Sequence, residues 1–217
     1  KEQLNDGFFE MFGEAVGTLH RLTKSYHPKH KRYHFYEEDF IDMGKRSLGK
    51  EHQYVIDRSV EVVEKIKGYE QTIDSYGLIH TDLHFGNMYY DGSELTFFDF
   101  DDACYKHFIS DIAIIIFYSF GMGPLTDTEI EDRTIQFLIS FMKGYEKENH
   151  LDVLWFQRLN DYLMLRQVIL FIVIYAAGEE LINSPWGQNF IGKFEKRIKD
   201  NTPFFNIERV MKAVWNS

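Results

Sequence analysis

Phe8, Phe12, Ala15, Val16 and Leu19 recur at steps of three and four residues, the spacing that places side chains on one face of a helix. The chain therefore opens with an amphipathic helix, in which Gly13 and Gly17 lower helix propensity but permit close packing. The stretch SYHPKHKRYH at 25–34 breaks the pattern with proline, histidine and basic residues and reads as a loop. His20, His27, His30 and His34 raise the question of a metal, but Lys29, Lys31 and Arg32 among them would repel a cation, which favours a solvated loop.

A short helix is predicted over 37–47 and a longer one over 51–76, with Val62, Ile66, Tyr69, Ile73 and Tyr76 in register and Gly77 as its stop. The period then changes from helical to alternating. Residues 78–80, 87–90 and 94–100 read as short strands, and Asp91-Gly92 between the last two signals a β-hairpin. After a loop at Asp102 a helix begins near Ser110 and stops at the Gly121-Met122-Gly123-Pro124 run. Thr126 and Glu129 form a capping box for the next helix, whose face is Ile130, Leu138, Phe141, Met142 and Tyr145. Further helices are predicted over 152–183, 188–200 and 206–215. No repeat or long linker interrupts the pattern, so the expectation is a single α+β domain over 1–217, mainly α-helical.

Composition narrows the function. At 217 residues with 44% hydrophobic and 17% aromatic content, the chain can bury a sizeable core. A formal charge of -10 argues against capture of nucleic acid, which needs clustered Lys and Arg along a phosphate track. A cationic or metal-bridged partner suits it better. Cys104 is the lone cysteine, so no internal disulfide forms, a reducing cytoplasm is the expected location, and filling space is its expected role. The most apolar run, VILFIVIYAA at 168–177, is about half of the ~20 residues a membrane span needs, and it reads as a buried helix rather than a membrane segment. No signal peptide is expected, and a start at Lys1 rather than Met reads as the remainder of something longer.

The chemistry concentrates in HTDLHFGNMYYDGSELTFFDFDD at 80–102. Transfer of a phosphoryl group to a hydroxyl needs a carboxylate near the acceptor's proton, together with hard oxygen ligands for a magnesium ion. Asp82 and Asn87 lie five positions apart, far enough for a loop to double back and present both to one pocket. The hairpin turn at 91–92 can return Asp99 beside that loop. Charge then divides the labour. Asn87 would ligate through a neutral oxygen and Asp99 through an anionic one, while Asp82 orients the hydroxyl and accepts its proton.

HTDLHFGN followed by FFDFDDA resembles the motif pair of the aminoglycoside phosphotransferase and choline kinase superfamily, relatives of protein kinases whose loop reads H-x-D-x-x-x-x-N. The resemblance implies a protein kinase-like C-terminal lobe with a small β-hairpin carrying the metal site. It implies Asp82 as catalytic base, Asn87 and Asp99 as ligands of Mg2+, and ATP as co-substrate. LHRL at 19–22 resembles the family's first helix after the interlobe hinge, and SDIA at 110–113 its helix after the metal site. There Asp111 would hydrogen-bond the backbone of the catalytic loop, and His80 would likewise be structural. The acceptor would be a hydroxyl on an amine or polyol, such as an aminoglycoside. The family also has an N-terminal lobe with a Gly-rich loop and a strand Lys, and no such segment is found here, so the chain resembles the C-terminal lobe alone, expected to be weakly active or inactive by itself.

Other residues are open to several roles. Asp101 and Asp102 are candidates for a second metal or for substrate, or they cap the following loop. Asp161, Glu179, Glu180 and Trp186 could form an acidic, aromatic-lined acceptor site, or an ordinary solvated face. His84 is a further candidate contact, but His80, Asp82 and His84 also spell H-x-D-x-H, which could bind zinc in a metallohydrolase. A degenerate lobe acting as a binding or scaffold module is the remaining alternative.

Overall fold

The structure, a computed structural model, describes residues 5–215. In chain order the elements are α1 (Asp6–Thr23), α2 (Phe40–Ser47), α3 (Gln53–Lys67), β1 (Tyr76–Ile79), β2 (Met88–Tyr90), β3 (Leu95–Phe97), β4 (Cys104–His107), α4 (Ile109–Ile116), α5 (Asp127–Glu148), α6 (Leu159–Ala176), α7 (Glu179–Ile182), α8 (Pro185–Asp200) and α9 (Ile207–Trp215). The fold is mainly helical with small antiparallel strands, as expected. The chain gathers into two compact units, one of residues 5–35, 70–159 and 205–215, the other of residues 36–69 and 160–204.

In the first unit the pairing of α1 with α5 is the frame. Asn5 caps α1 by accepting the Phe8 N–H at 3.0 Å. α5 starts on the expected capping box: Glu129 N–H reaches Thr126 Oγ1 at 3.3 Å and Glu129 Oε2 accepts from Thr126 N–H at 2.8 Å. The two helices touch backbone to backbone. A Cβ on Gly13 would lie 1.9 Å from the Phe141 carbonyl oxygen, and one on Gly144 would lie 1.7 Å from that of Glu10. Only glycine at both places allows this approach. Phe12, Val16, Phe137, Phe141 and Tyr145 are fully buried around the crossing.

Two small sheets pack onto this frame. β2 and β3 form the expected hairpin with Met88 opposite Phe97 and Tyr90 opposite Leu95. One of its faces meets α1, with the Phe8 and Tyr90 rings 5.4 Å apart and those of Phe12 and Phe97 6.0 Å apart. The other face leaves Tyr89 64% exposed. The turn spans four residues, one more than the expected strands leave between them, and Asp91 Oδ1 closes it by collecting the N–H groups of Ser93 and Glu94, each at 2.8 Å.

β1 pairs antiparallel with β4, Tyr76 opposite His107 and Ile79 opposite Cys104. This pairing corrects two expectations. The predicted helix over 51–76 ends at Lys67, where the Gly68 N–H closes the last turn on the Glu64 carbonyl at 3.1 Å, so Tyr76 and Gly77 belong to a strand. Residues 104–107, expected as loop, are that strand's partner.

In the second unit α3 and α8 are joined by Tyr54 hydroxyl to Glu195 at 3.1 Å, and Lys65 and Tyr69 both reach Asp161 on α6, at 2.7 and 2.5 Å. The helix predicted over 152–183 is three pieces: a 3-10 turn at Val153–Arg158, α6, and α7 after Gly178 at φ 90°. Val153–Ala176 is 24 residues at hydropathy 1.4, long and apolar enough by composition to cross a membrane, and 61% of its most apolar stretch is buried within the protein, as in a core helix.

Candidate active site

His80, Asp82, His84, Asn87, Asp99, Asp101, Asp102 and Asp111 lie in the first unit, all but Asp111 between β1 and β4, whereas Asp161, Glu179, Glu180 and Trp186 lie in the second. Thr81, on the segment that leaves β1, takes φ 68°, a left-handed conformation that a β-branched residue rarely adopts and that costs on the order of 1–3 kcal/mol. Three hydrogen bonds hold it. Asp111 Oδ1 accepts the Thr81 N–H at 2.8 Å, Asp111 Oδ2 accepts the His80 N–H at 3.1 Å, and Thr81 Oγ1 donates to the Asp102 carbonyl at 2.7 Å. Asp111, in the first turn of α4, is fully buried, so its carboxylate exchanges hydration for these backbone donors.

His80 couples this loop to the hairpin. Its Nε2 meets the Phe98 carbonyl at 2.9 Å and its Nδ1 accepts the Asp82 N–H at 3.3 Å, so a single tautomer, protonated at Nε2, serves both bonds. The N–H of the same residue donates to the Asn87 carbonyl at 3.1 Å. Phe98, the residue before Asp99, is therefore held at both its N–H and its carbonyl by the loop that carries Asp82 and Asn87. Asp99 follows at φ 66°, two residues beyond the end of β3, with its side chain exposed.

Around Asp82 the donors converge on one oxygen. Oδ2 receives Asn87 Nδ2 at 3.1 Å, and His84 Nε2 lies 3.3 Å from it. His84 Nδ1 accepts the Gly86 N–H at 2.9 Å, which turns the Nε2 side of the ring toward Asp82. A π-helical turn at Phe117–Gly121 carries Tyr118 to within 4.8 Å of the His84 ring. Asn87 also bonds the Asp82 carbonyl at 3.0 Å, so its nitrogen is fully engaged and its Oδ1 is the acceptor it has left. Asn87 Oδ1 and the Asp99 carboxylate are hard oxygen donors of the kind Mg2+ and Ca2+ take.

The zinc reading is corrected here. His80 is fully buried with both ring nitrogens engaged, one on the Phe98 carbonyl and one on Asp82 N–H, while His84 Nε2 lies 3.3 Å from the Asp82 carboxylate. Among the described residues no group of three or more His, Cys, Asp or Glu side chains is arranged to hold a metal. Asp101 and Asp102 are exposed beside Asp99, their carbonyls bonded by Arg32 at 2.8 Å and Thr81. Glu179 is exposed at the start of α7, in the second unit. Phe100 lies 4.5 Å from the His80 ring, and both line a pocket of about 560 Å³ walled by Leu19, Leu22, Tyr26 and Ile79.

Two residues that helical spacing could have exposed are His20 and Tyr145. Phe8, Phe12, Val16 and His20 fall four apart on the buried face of α1, as do Phe137, Phe141 and Tyr145 on α5. His20 Nε2 meets Asp111 Oδ2 at 3.2 Å, and its Nδ1 meets the Tyr145 hydroxyl at 2.8 Å.

Comparison with known proteins identifies the family. The profile of the phosphotransferase enzyme family (APH) matches residues 1–149. An amicoumacin kinase of Bacillus subtilis (strain 168) is 29% identical over 202 residues, 92% of this chain and 60% of that protein. A solved amicoumacin kinase, in complex with AMP-PNP, Ca2+ and Ami, is similar at TM-score 0.84 and 31% identity, over 97% of this chain and 64% of that one. A microcompartment-associated aminopropanol kinase shares the fold at TM-score 0.65 and 17% identity, over 94% of this chain and 65% of its own. The chain thus spans 60 to 64% of the length of the amicoumacin kinases it matches.

Proposed function

The chain belongs to the phosphotransferase enzyme family, and on that basis we propose that it is the C-terminal catalytic lobe of an ATP-dependent kinase that phosphorylates a hydroxyl group of a small molecule. The observation that carries this reading is the double use of Asn87. Its nitrogen fixes Asp82 Oδ2 at 3.1 Å while its oxygen is left for a cation, so one amide ties a base to an ion site. Asp82 would accept the acceptor's proton, with His84 and Asn87 holding the carboxylate in one orientation. Asn87 and Asp99 would hold Mg2+, which when bound would neutralise phosphate oxygens of ATP. The exposed Asp101 and Asp102 add negative charge where a second ion or an amine of the acceptor would sit.

The amicoumacin kinases support an amine-bearing natural product as the acceptor class, and the net charge of -10 is consistent with it. We place the enzyme in the cytoplasm, where ATP is supplied and the buried Cys104 stays reduced.

The test is phosphorylation of amicoumacin and of choline-like and aminoglycoside alcohols with Mg-ATP, using the protein from its full reading frame. Asp82→Ala should lower kcat by about a thousandfold or more without loss of folding. Failure to bind Mg-ATP by calorimetry would replace the kinase with a scaffold module.

A further inference from the structure

We infer that His20 and Tyr145 are positioning residues for the catalytic loop, acting on Asp82 through Asp111; this rests on the phosphotransferase reading above. Asp111 can only accept hydrogen bonds, so His20 must present a proton on Nε2 across the 3.2 Å contact. In the neutral ring Nδ1 is then an acceptor, and the Tyr145 hydroxyl, 2.8 Å away, donates to it. The hydroxyl oxygen in turn accepts from Asn149 Nδ2 at 2.8 Å. Every proton in the series Asn149, Tyr145, His20, Asp111 therefore has one direction, and the series ends on the two backbone N–H groups that hold Thr81 in its left-handed conformation.

The surroundings enforce that order. His20, Tyr145 and Asp111 are wholly shielded from solvent and Asn149 is 6% exposed, so no water competes for these groups. Burial pushes the Tyr145 hydroxyl well above its usual range, which keeps it a donor. The His20 ring lies flat on Phe108 at 4.6 Å and edge-on to Tyr145 at 5.7 Å, which blocks a ring flip. The α1 and α5 backbones, locked at Gly13 and Gly144, bring His20 and Tyr145 together. The purpose of the series is to set the angle of a carboxylate that receives backbone donors immediately before Asp82. A mere core filler at His20 would leave Asp111 Oδ2 with one donor fewer and the left-handed peptide less firmly held.

The experiment compares Tyr145→Phe, His20→Leu and His20→Gln by kinetics and by amide hydrogen exchange at His80 and Thr81. Tyr145→Phe deletes one hydroxyl and is the variant least able to disturb folding; Gln at position 20 keeps an N–H able to reach Asp111. A lost hydrogen bond to a charged group corresponds to roughly a tenfold to hundredfold fall in kcat, with KM for ATP within about twofold. Exchange at the His80 and Thr81 amides should rise by about tenfold over that of core amides in α4, and His20→Gln should recover more of both readouts than His20→Leu. Unchanged exchange and kcat in folded Tyr145→Phe and His20→Leu would overturn the inference, as would an equal acceleration of all amides. Exchange is read without turnover, so an absence of kinase activity in the unaltered protein would refute the functional reading alone.

Discussion

Asn87 Nδ2 lies 3.1 Å from Oδ2 of Asp82 and 3.0 Å from the same residue's carbonyl oxygen. One amide group thereby closes the loop between two site residues and decides which way its own oxygen faces. An aspartate cannot substitute, because it has no N–H to give and would set a second carboxylate against Asp82. Asn87→Asp should therefore reduce kcat by about a hundredfold or more, on the scale of losing a charge-assisted hydrogen bond and raising the pKa of the pair. Steady-state kinetics with the pH profile would check it: the acidic limb should move upward. An unmoved limb would separate Asn87 from the state of Asp82.

Thr81 carries both strain and a tether. Gly at this site relieves the left-handed backbone but removes the Oγ1 bond to the Asp102 carbonyl, two effects of about 1 kcal/mol each that oppose one another. Thr81→Gly should thus change stability by well under about 1 kcal/mol, whereas Thr81→Val keeps the strain, loses the bond and should cost about 1 kcal/mol. Urea unfolding of the two variants decides the matter.

His107, fully buried in β4, is pushed down to about 4 chiefly by burial, with Arg158 and Lys106 adding to the effect and its bond to the Glu70 carbonyl opposing it. The unfolded chain protonates this ring near 6.5, so between 6.5 and 4 the unfolded state binds more protons and stability falls as pH falls. The loss amounts to about 3 kcal/mol across that window, complete near pH 4 and absent above pH 7. Denaturation midpoints of the protein and of His107→Gln, followed from pH 7 to 4, should converge as pH drops. Parallel curves would remove His107 as the source.

Gly144→Ala would put a methyl group 1.7 Å from the Glu10 carbonyl oxygen, a distance that only separation of α1 from α5 can relieve. A loss of about 3 kcal/mol or more is expected, and thermal melting would show it. Gly192→Ala, inside α8 with nothing within 4 Å, serves as the control and should gain up to about 1 kcal/mol.

The candidate site was legible because its residues are local in sequence: Asp82, Asn87 and Asp99 stand out by spacing, and the turn at Asp91 joins the two pieces. What spacing could not show is the means of assembly. Phe98, which links the loop to Asp99, acts through backbone atoms, which carry no side-chain signature. The β1–β4 ladder hid for a related reason. Tyr69, Ile73 and Tyr76 continue the rhythm of α3, yet Tyr76 pairs with His107, and Ile73 is 62% exposed in the connection. Tertiary pairing overrode a helical period. Lys106 and His107, polar by type, are nevertheless buried, so β4 offers no alternation to read. His20 sat in plain view on the Phe8, Phe12, Val16 face, but its neighbours in the basic loop drew it into a different grouping.

Where Gly13 and Gly144 let two main chains meet, there is no cushion of side chain to absorb change. A phenylalanine nearby can shrink or be reshaped and its neighbours will settle around the difference. Neither glycine can grow by a single carbon. Tolerance to substitution along these helices should accordingly be lowest at their smallest residues, and the places where the molecule is least free to drift are those with no side chain at all.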